Sequence, residues 1–286
     1  MYHPERKGAI VKRVLKAMAH QKARFARSRS RTMGAFSISL LALVVSAALA
    51  ACGGGPSNSG GGNPSANAIT FVQSAGTSAG CTQVNGCDSQ SLSMPKPVSN
   101  GDFIAVVFWW NGGNTNGSEG ITVTDSANNT YTSIGPTTNF SCGDSTLCYG
   151  FYATNVNGGS NFTVTASRSG TNGYGFYMAA VEVKGATTFD FWKGGGCSVQ
   201  GGCTIYATDQ FELSHADELL VGVASLQPES GPISQFTIQA GPDFTEVYTQ
   251  DYFAAEYLVT TTPGQYQGQF MSNAVGTGSV IFAAFY

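Results

Sequence analysis

Seven cysteines, one histidine beyond residue 20 and a few groups of carboxylates hold most of the chemistry available to this 286-residue chain. Six of the cysteines form pairs of identical spacing, Cys81/Cys87, Cys142/Cys148 and Cys197/Cys203, each enclosing five residues rich in Gly, Asn, Asp, Ser or Gln. Six cysteines permit fifteen connectivities, but repeated short spacing predicts three local disulfides, Cys81–Cys87, Cys142–Cys148 and Cys197–Cys203. Closing so short a loop contributes about 2–2.5 kcal/mol per bridge through the unfolded state. Zinc is the competing use, yet Cys-x₅-Cys is wider than the usual spacing and few histidines are available. Cys52 is left without a partner.

Oxygen chemistry is the next resource. Asp125 with Asn128 and Asn129 could ligate Ca²⁺ through side-chain oxygens, while an Asx turn closing a hairpin asks for the same residues. Glu246, Asp251 and Glu256 are close in sequence, as the acid and base of a glycosidase must be in space, but a five-residue step switches faces along a continuous strand. Gly143-Asp144-Ser145-Thr146-Leu147 superficially resembles the nucleophile block of Gly-Asp-Ser-Leu esterases, and His215-Ala216-Asp217 could supply a base. In that family the serine block lies near the domain start and an Asp-x-x-His near its end, and neither holds here. Aromatic rings remain: Trp192, Tyr252 and Tyr257 adjoin polar or Gly-rich sequence, the setting in which rings grip sugars.

Strands must position these groups. Alternating or continuously apolar β-formers recur between turn signals, and no long stretch has a helical period. Strands are predicted at Ile69–Gln73, Asp102–Trp110, Cys148–Ala153, Phe162–Ser167, Tyr174–Val183, Thr204–Thr208, Glu218–Leu226, Phe236–Gln239, Phe244–Gln250, Phe253–Thr260, Gln265–Met271 and Ser279–Tyr286. Ile121–Thr124 and Thr130–Ile134 flank Asp125–Asn129 as a predicted hairpin, and residues 194–202 read as a Gly-rich loop. Asp102–Trp110 is apolar on both faces, which requires a central strand with Trp109 and Trp110 on opposite sides. Glu218-Leu-Leu-Val-Gly-Val-Ala echoes Asp102-Phe-Ile-Ala-Val-Val. Many short strands without helices predict one all-β domain over 69–286, an antiparallel two-sheet sandwich. The order of these strands and of the segment Val-Thr-Asp-Ser-Ala-Asn-Asn-Thr-Tyr-Thr (123–132) resembles a jelly-roll-type β-sandwich of secreted and surface bacterial proteins. That resemblance implies a fold and supplies no catalytic residue. A transmembrane barrel fits poorly, because 103–110 and 281–286 are apolar on both faces rather than alternating.

The N-terminal part reads differently. Ten of the fourteen Lys and Arg lie in the first 32 residues, ahead of an apolar run from Ile38 to Ala51. Such an order describes a secretory signal over 1–51, with Met18 as an alternative start. No Arg-Arg pair precedes the run, so the general secretory route is expected. The run closes on Leu49-Ala50-Ala51-Cys52, which resembles the lipobox of bacterial lipoproteins at all four positions. The resemblance implies diacylglycerol on the Cys52 thiol, cleavage before Cys52, and acylation of the new amino terminus. Gly53, where an Asp would signal inner-membrane retention, resembles the outer-membrane class. Ordinary secretion, with cleavage after Ala48-Leu49-Ala50, is the competing reading. Residues 52–68 then form a Gly/Ser/Asn tether spanning roughly 20 Å.

Beyond the signal only Lys96, Arg168, Lys184 and Lys193 are positive against sixteen Asp and Glu, a formal charge of −12. A surface of that sign repels nucleic acid. The partners expected are the membrane, through lipid on Cys52, and a glycan or another surface protein. The expected function is binding or adhesion by a membrane-anchored lipoprotein. A ligand-free structural envelope protein and a carbohydrate-active hydrolase are the alternatives. No catalytic constellation is complete, and Ca²⁺ is the one cofactor the sequence raises.

Overall fold

The computed structural model describes residues 68–79, 88–112, 120–134, 146–168, 173–197 and 202–286. The signal, Cys52, the tether up to residue 67, Cys81, Cys87, Cys142 and Ser145 lie outside the described residues. Everything described is β-structure, turns and one short 3-10 turn at Ile233–Gln235. No helix among the described residues is long and apolar enough to cross a membrane.

The first eight strands are β1 (Thr70–Ala79), β2 (Ser89–Ser93), β3 (Phe103–Gly112), β4 (Ile121–Asp125), β5 (Thr132–Ser133), β6 (Thr146–Ala153), β7 (Thr163–Arg168) and β8 (Gly173–Lys184). They make an antiparallel sandwich. A five-stranded sheet has the order β1-β8-β3-β6-β5, and a three-stranded sheet has the order β2-β7-β4. Alternation does the sorting. In β7, Val164, Ala166 and Arg168 are buried while Thr163, Thr165 and Ser167 are half-exposed. Val164 and Ala166 join Leu92 and Val123 against Ile104, Val106, Phe108 and Trp110 of β3.

The remaining strands are β9 (Phe189–Cys197), β10 (Cys203–Thr208), β11 (Phe211–Leu213), β12 (Glu218–Pro228), β13 (Ile238–Ala240), β14 (Thr245–Gln250), β15 (Phe253–Thr260), β16 (Gly264–Tyr266) and β17 (Gln269–Phe285). They repeat the first topology. The order β9-β17-β12-β15-β14 matches β1-β8-β3-β6-β5 strand for strand, and β10 and β13 flank the start of β17 as β2 and β4 flank β7. The small β11–β16 sheet is an insertion, with Phe211 and Leu213 packed on Leu220 and Ala284. The expected antiparallel sandwich is thus present twice, in tandem.

The two large sheets pack face to face. Phe103, Ala105, Val107 and Trp109 meet Leu219, Val221, Val223 and Phe285 in one core, while Trp110 faces the other way, as the strand period requires. Equivalence reaches single residues. A register shift interrupts β1 between Phe71 and Gln73 opposite β8, and β17 opposite β9 between Ala283 and Phe285. Phe71 stacks on Tyr257 at 4.5 Å, and Phe189 stacks on Tyr152 at 5.9 Å. Phe71 and Phe189 hold matching positions on β1 and β9, as do Tyr152 and Tyr257 on β6 and β15. Each half therefore lends a phenylalanine to the other's tyrosine, the reciprocity of a two-fold interface.

Two sequence expectations are corrected. Ile121–Thr124 and Thr130–Ile134 are not a hairpin: β4 pairs with β7 and β5 with β6. The turn at Asp125–Asn129 does close, but as a corner that carries the chain from the outer sheet to the inner one. Residues 194–197 are strand rather than loop. There a Cβ on Gly195 would lie 2.2 Å from the Ala207 carbonyl, and one on Gly196 2.3 Å from that of Gly278. Glycine permits close backbone approach here instead of a turn.

Phe285 is fully buried, in ring contact with Phe103, Tyr152 and Phe189 at 4.8, 5.3 and 5.7 Å. Phe285→Ala is expected to cost about 3–5 kcal/mol, read as a lower urea midpoint. A loss below about 1 kcal/mol would mean that the sheet interface is not held there.

Candidate functional site

The aromatic candidates do not converge. Trp192 on β9 lines a small apolar cavity between the large sheets, with Val107, Ile134 and Val221. Tyr252, in the turn before β15, packs on Trp109 at 6.0 Å. Tyr257 is half-buried under Phe71, which is 37% exposed. β17 and β12 separate the strands of Trp192 and Tyr257, placing them roughly 14 Å apart at strand spacing. Tyr257 is the one stacked against the exposed ring of Phe71.

Asp125, Asn128 and Asn129 are close together but occupied. Asp125 Oδ1 accepts from the Ala127 and Asn129 amides at 2.9 and 3.1 Å, and Oδ2 from Asn129 Nδ2 and Tyr131 Oη at 2.9 and 3.0 Å. Burial and Asp125 together push the Tyr131 phenol up, so it remains a donor. Asn128 takes the left-handed conformation, φ 60°. Four donors already point at this carboxylate, so the three residues form an Asx corner and not a calcium site.

Other carboxylates are drawn into the fold. Asp251 accepts from Tyr177 Oη at 2.9 Å, tying the β14–β15 turn to the first half. Glu182, fully buried on β8, accepts from Gln73 Nε2 and from the Ser99 amide. Gln73 in turn brackets Lys96, accepting from its amide at 2.7 Å and donating to its carbonyl at 3.0 Å. Burial above all, and Asp102 beside it, hold Glu182 above the usual carboxylate range. No sequence pattern announced this knot, because its members come from β1, β8 and the loop before β3.

Glu246 and Glu256, ten residues apart, face each other directly across β14 and β15, while Asp251, five residues from each, lies in the turn between them. Glu246 is exposed, whereas Glu256 is fully buried and accepts from the Gly241 amide at 2.8 Å. Burial pushes Glu256 up to about 9.

His215 lies at the rim of a cleft of about 480 Å³, with Thr187, Asp217 and Tyr286. Its ring stacks on that of Tyr286 at 3.7 Å. Nδ1 is 3.4 Å from Glu218 Oε1 and 4.0 Å from Asp190 Oδ2. Glu218 opens β12, is fully buried, and accepts from the His215 amide at 2.8 Å. Its second oxygen, Oε2, has no hydrogen-bond partner. Burial raises Glu218, Asp190 raises it further, and His215 opposes both. His215, whose esterase resemblance is superficial in the sequence, sits in the bend before β12, and its neighbours are two carboxylates, one of them contributed by β9.

The Cys197–Cys203 disulfide is present, with Cα atoms 6.1 Å apart, and Cys148 is disulfide-bonded as well. Compared with known proteins, the chain matches no family model, and no curated protein or solved structure shows similarity to it.

Glu256 generates a pH prediction. Its folded value lies above its unfolded one, so the proton held in the fold contributes stability below the usual carboxylate range. That contribution is lost as pH rises toward about 9, at up to about 1.4 kcal/mol per pH unit. Glu256→Gln keeps an acceptor for Gly241 and removes the ionisation. It is expected to melt higher than wild type at pH 8–9 and to differ little at pH 4, and a parallel shift at both pH values would refute the neutral carboxyl.

Proposed function

We propose that this chain is an exported, lipid-anchored protein that displays its double sandwich as a binding module for neutral sugar. The observation that carries the ligand class is the Phe71–Tyr257 stack, an exposed ring backed by a second ring 9° from parallel. A flat apolar face beside the hydroxyl-bearing Thr245, which pairs with Tyr257 across the sheet, suits the C–H face of a pyranose and its hydroxyls. The rigid mount lowers the entropy lost on binding. Export is supported by the Cys197–Cys203 disulfide, since such bonds persist in oxidising compartments. The Leu49-Ala50-Ala51-Cys52 ending and the basic and apolar stretches before it support the anchor. One acyl chain holds a protein only marginally, and two or three make attachment stable.

Two experiments test this reading. Cys52→Ala is expected to abolish labelling by a palmitate analogue and to release the protein from membranes; unchanged labelling would refute the anchor. On a polysaccharide array the detergent-extracted protein is expected to bind, with little dependence on monovalent salt. Phe71→Ala should weaken that binding by about 1–3 kcal/mol while shifting the melting temperature little. No binding at millimolar glycan, or full binding by Phe71→Ala, would remove the sugar platform.

A further inference from the structure

We infer that Asp190, His215 and Glu218 form a binding site for a divalent transition-metal ion beside the Tyr286 cleft. One donor atom from each residue lies within 4.8 Å of the other two, a triangle that a small contraction would close around an ion at 2.0–2.2 Å. The independent observation is Glu218. Its side chain is fully buried, the carboxylate faces the imidazole, and Oε2 is without a partner. A buried oxygen in that state is costly; Oε1 is the oxygen 3.4 Å from Nδ1, and an ion held by both oxygens of the carboxylate would offset that cost.

Comparison of the two halves sharpens the point. Glu218 holds in the second half the place of Asp102 in the first, each being the residue before the matching Phe103 and Leu219. Around Asp102, Glu182 is satisfied by Gln73 and the Ser99 amide. At the matching places the second half carries Ala284 for Glu182, Phe191 for Gln73 and His215 for Ser99. The Glu182–Gln73 pair is gone, the amide at the Ser99 position is kept by His215 and serves Glu218, and a histidine ring now stands there with Asp190 beside it. Asp190 comes from the strand interruption between Phe189 and Trp192, where β17 offers one residue against two on β9. Bulges of this kind re-aim side chains beside functional sites.

The donor set selects the ion. An imidazole nitrogen with two carboxylates suits Zn²⁺ and its first-row neighbours, whereas Ca²⁺ and Mg²⁺ prefer oxygen alone. Three protein donors leave at least one coordination position for water or a ligand, as in sites that act on what they bind. Solvent reaches the group through His215 and Asp190, both partly exposed, and His215 borders the cleft. The chain's formal charge of −12 beyond the signal also favours a cation.

Isothermal titration of the purified protein with Zn²⁺ tests the site, paired with Co²⁺ absorption to report the ligand field. Wild type is expected to bind Zn²⁺, to give visible Co²⁺ bands, and to melt higher with metal. His215→Ala and Asp190→Asn should each weaken Zn²⁺ binding about tenfold or more and alter the Co²⁺ spectrum. Both residues are partly exposed, so circular dichroism should show both variants folded. Absence of Zn²⁺ uptake by wild type, or equal uptake by wild type and both folded variants, overturns the assignment. The outcome is independent of the sugar platform, since Phe71 and Tyr257 contribute no ligand.

Discussion

Two strands apolar on both faces govern this protein. Phe103 to Trp110 of β3 and Leu219 to Leu226 of β12 are buried along their whole length, so neither can lie in a sheet with one wet face. Each has to be covered twice. The solution is a stack in which β3 and β12 meet each other through Phe103, Val107, Leu219 and Val223. Their outer faces are roofed by β2-β7-β4 on one side and by Tyr206, Phe236, Ile238 and Phe270 on the other. One sandwich alone would leave the inner face of a five-stranded sheet in water, an apolar patch that proteins seldom expose. The two halves complete each other through this shared core, which is why the described strands form one body rather than two beads.

Much of this was legible beforehand, for identifiable reasons. Period-two alternation and doubly apolar runs are direct records of which faces are dry, so β3, β8, β12 and β15 stood out. Trp109 and Trp110 had to part company. The echo between 102–107 and 218–224 is the trace of the repeated topology, visible where burial constrains both copies alike. What escaped was pairing. Turn chemistry at Asp125–Asn129 states that the chain reverses, not which strand it will join, and Val123 found its partner 43 residues away in Ala166. Gly194 to Gly196 read as a loop because a glycine run has the same composition whether it turns or lets two backbones touch.

The site residues were harder still. Trp192, Tyr252 and Tyr257 were picked by their polar neighbours in sequence, but in a stacked β-protein the neighbours that count are across the sheet or in the next layer. Trp192 fills space between sheets and Tyr252 braces Trp109, whereas Tyr257 gains its interest from Phe71, 186 positions earlier. The same non-locality hid Asp190 from His215. Only the interruption of β9 opposite Ala284 brings the carboxylate round, and such an irregularity leaves no pattern in the sequence.

A repeated fold offers its own internal control. Where both halves must meet the same demand, they agree: the acidic residue ahead of each central strand, a left-handed residue just before it (Gly101 at φ 88°, Asp217 at φ 61°), and the exchanged Phe–Tyr stacks. Where they disagree, the cover differs: Ala284 and Phe191, standing for Glu182 and Gln73, pack with Phe211 and Leu213 of the β11–β16 insertion. In the first half Glu182 is held by Gln73 and the Ser99 amide, while Asp102 keeps Oδ2 without a partner. The second half has neither Glu182 nor Gln73, keeps the orphan oxygen on Glu218, and sets that carboxylate beside the one histidine among the described residues, which borders a cleft. The orphan oxygen is thus common to both copies; what the second half adds is an imidazole and a second carboxylate beside it, and a difference of that kind belongs to the part of the molecule that meets something outside itself.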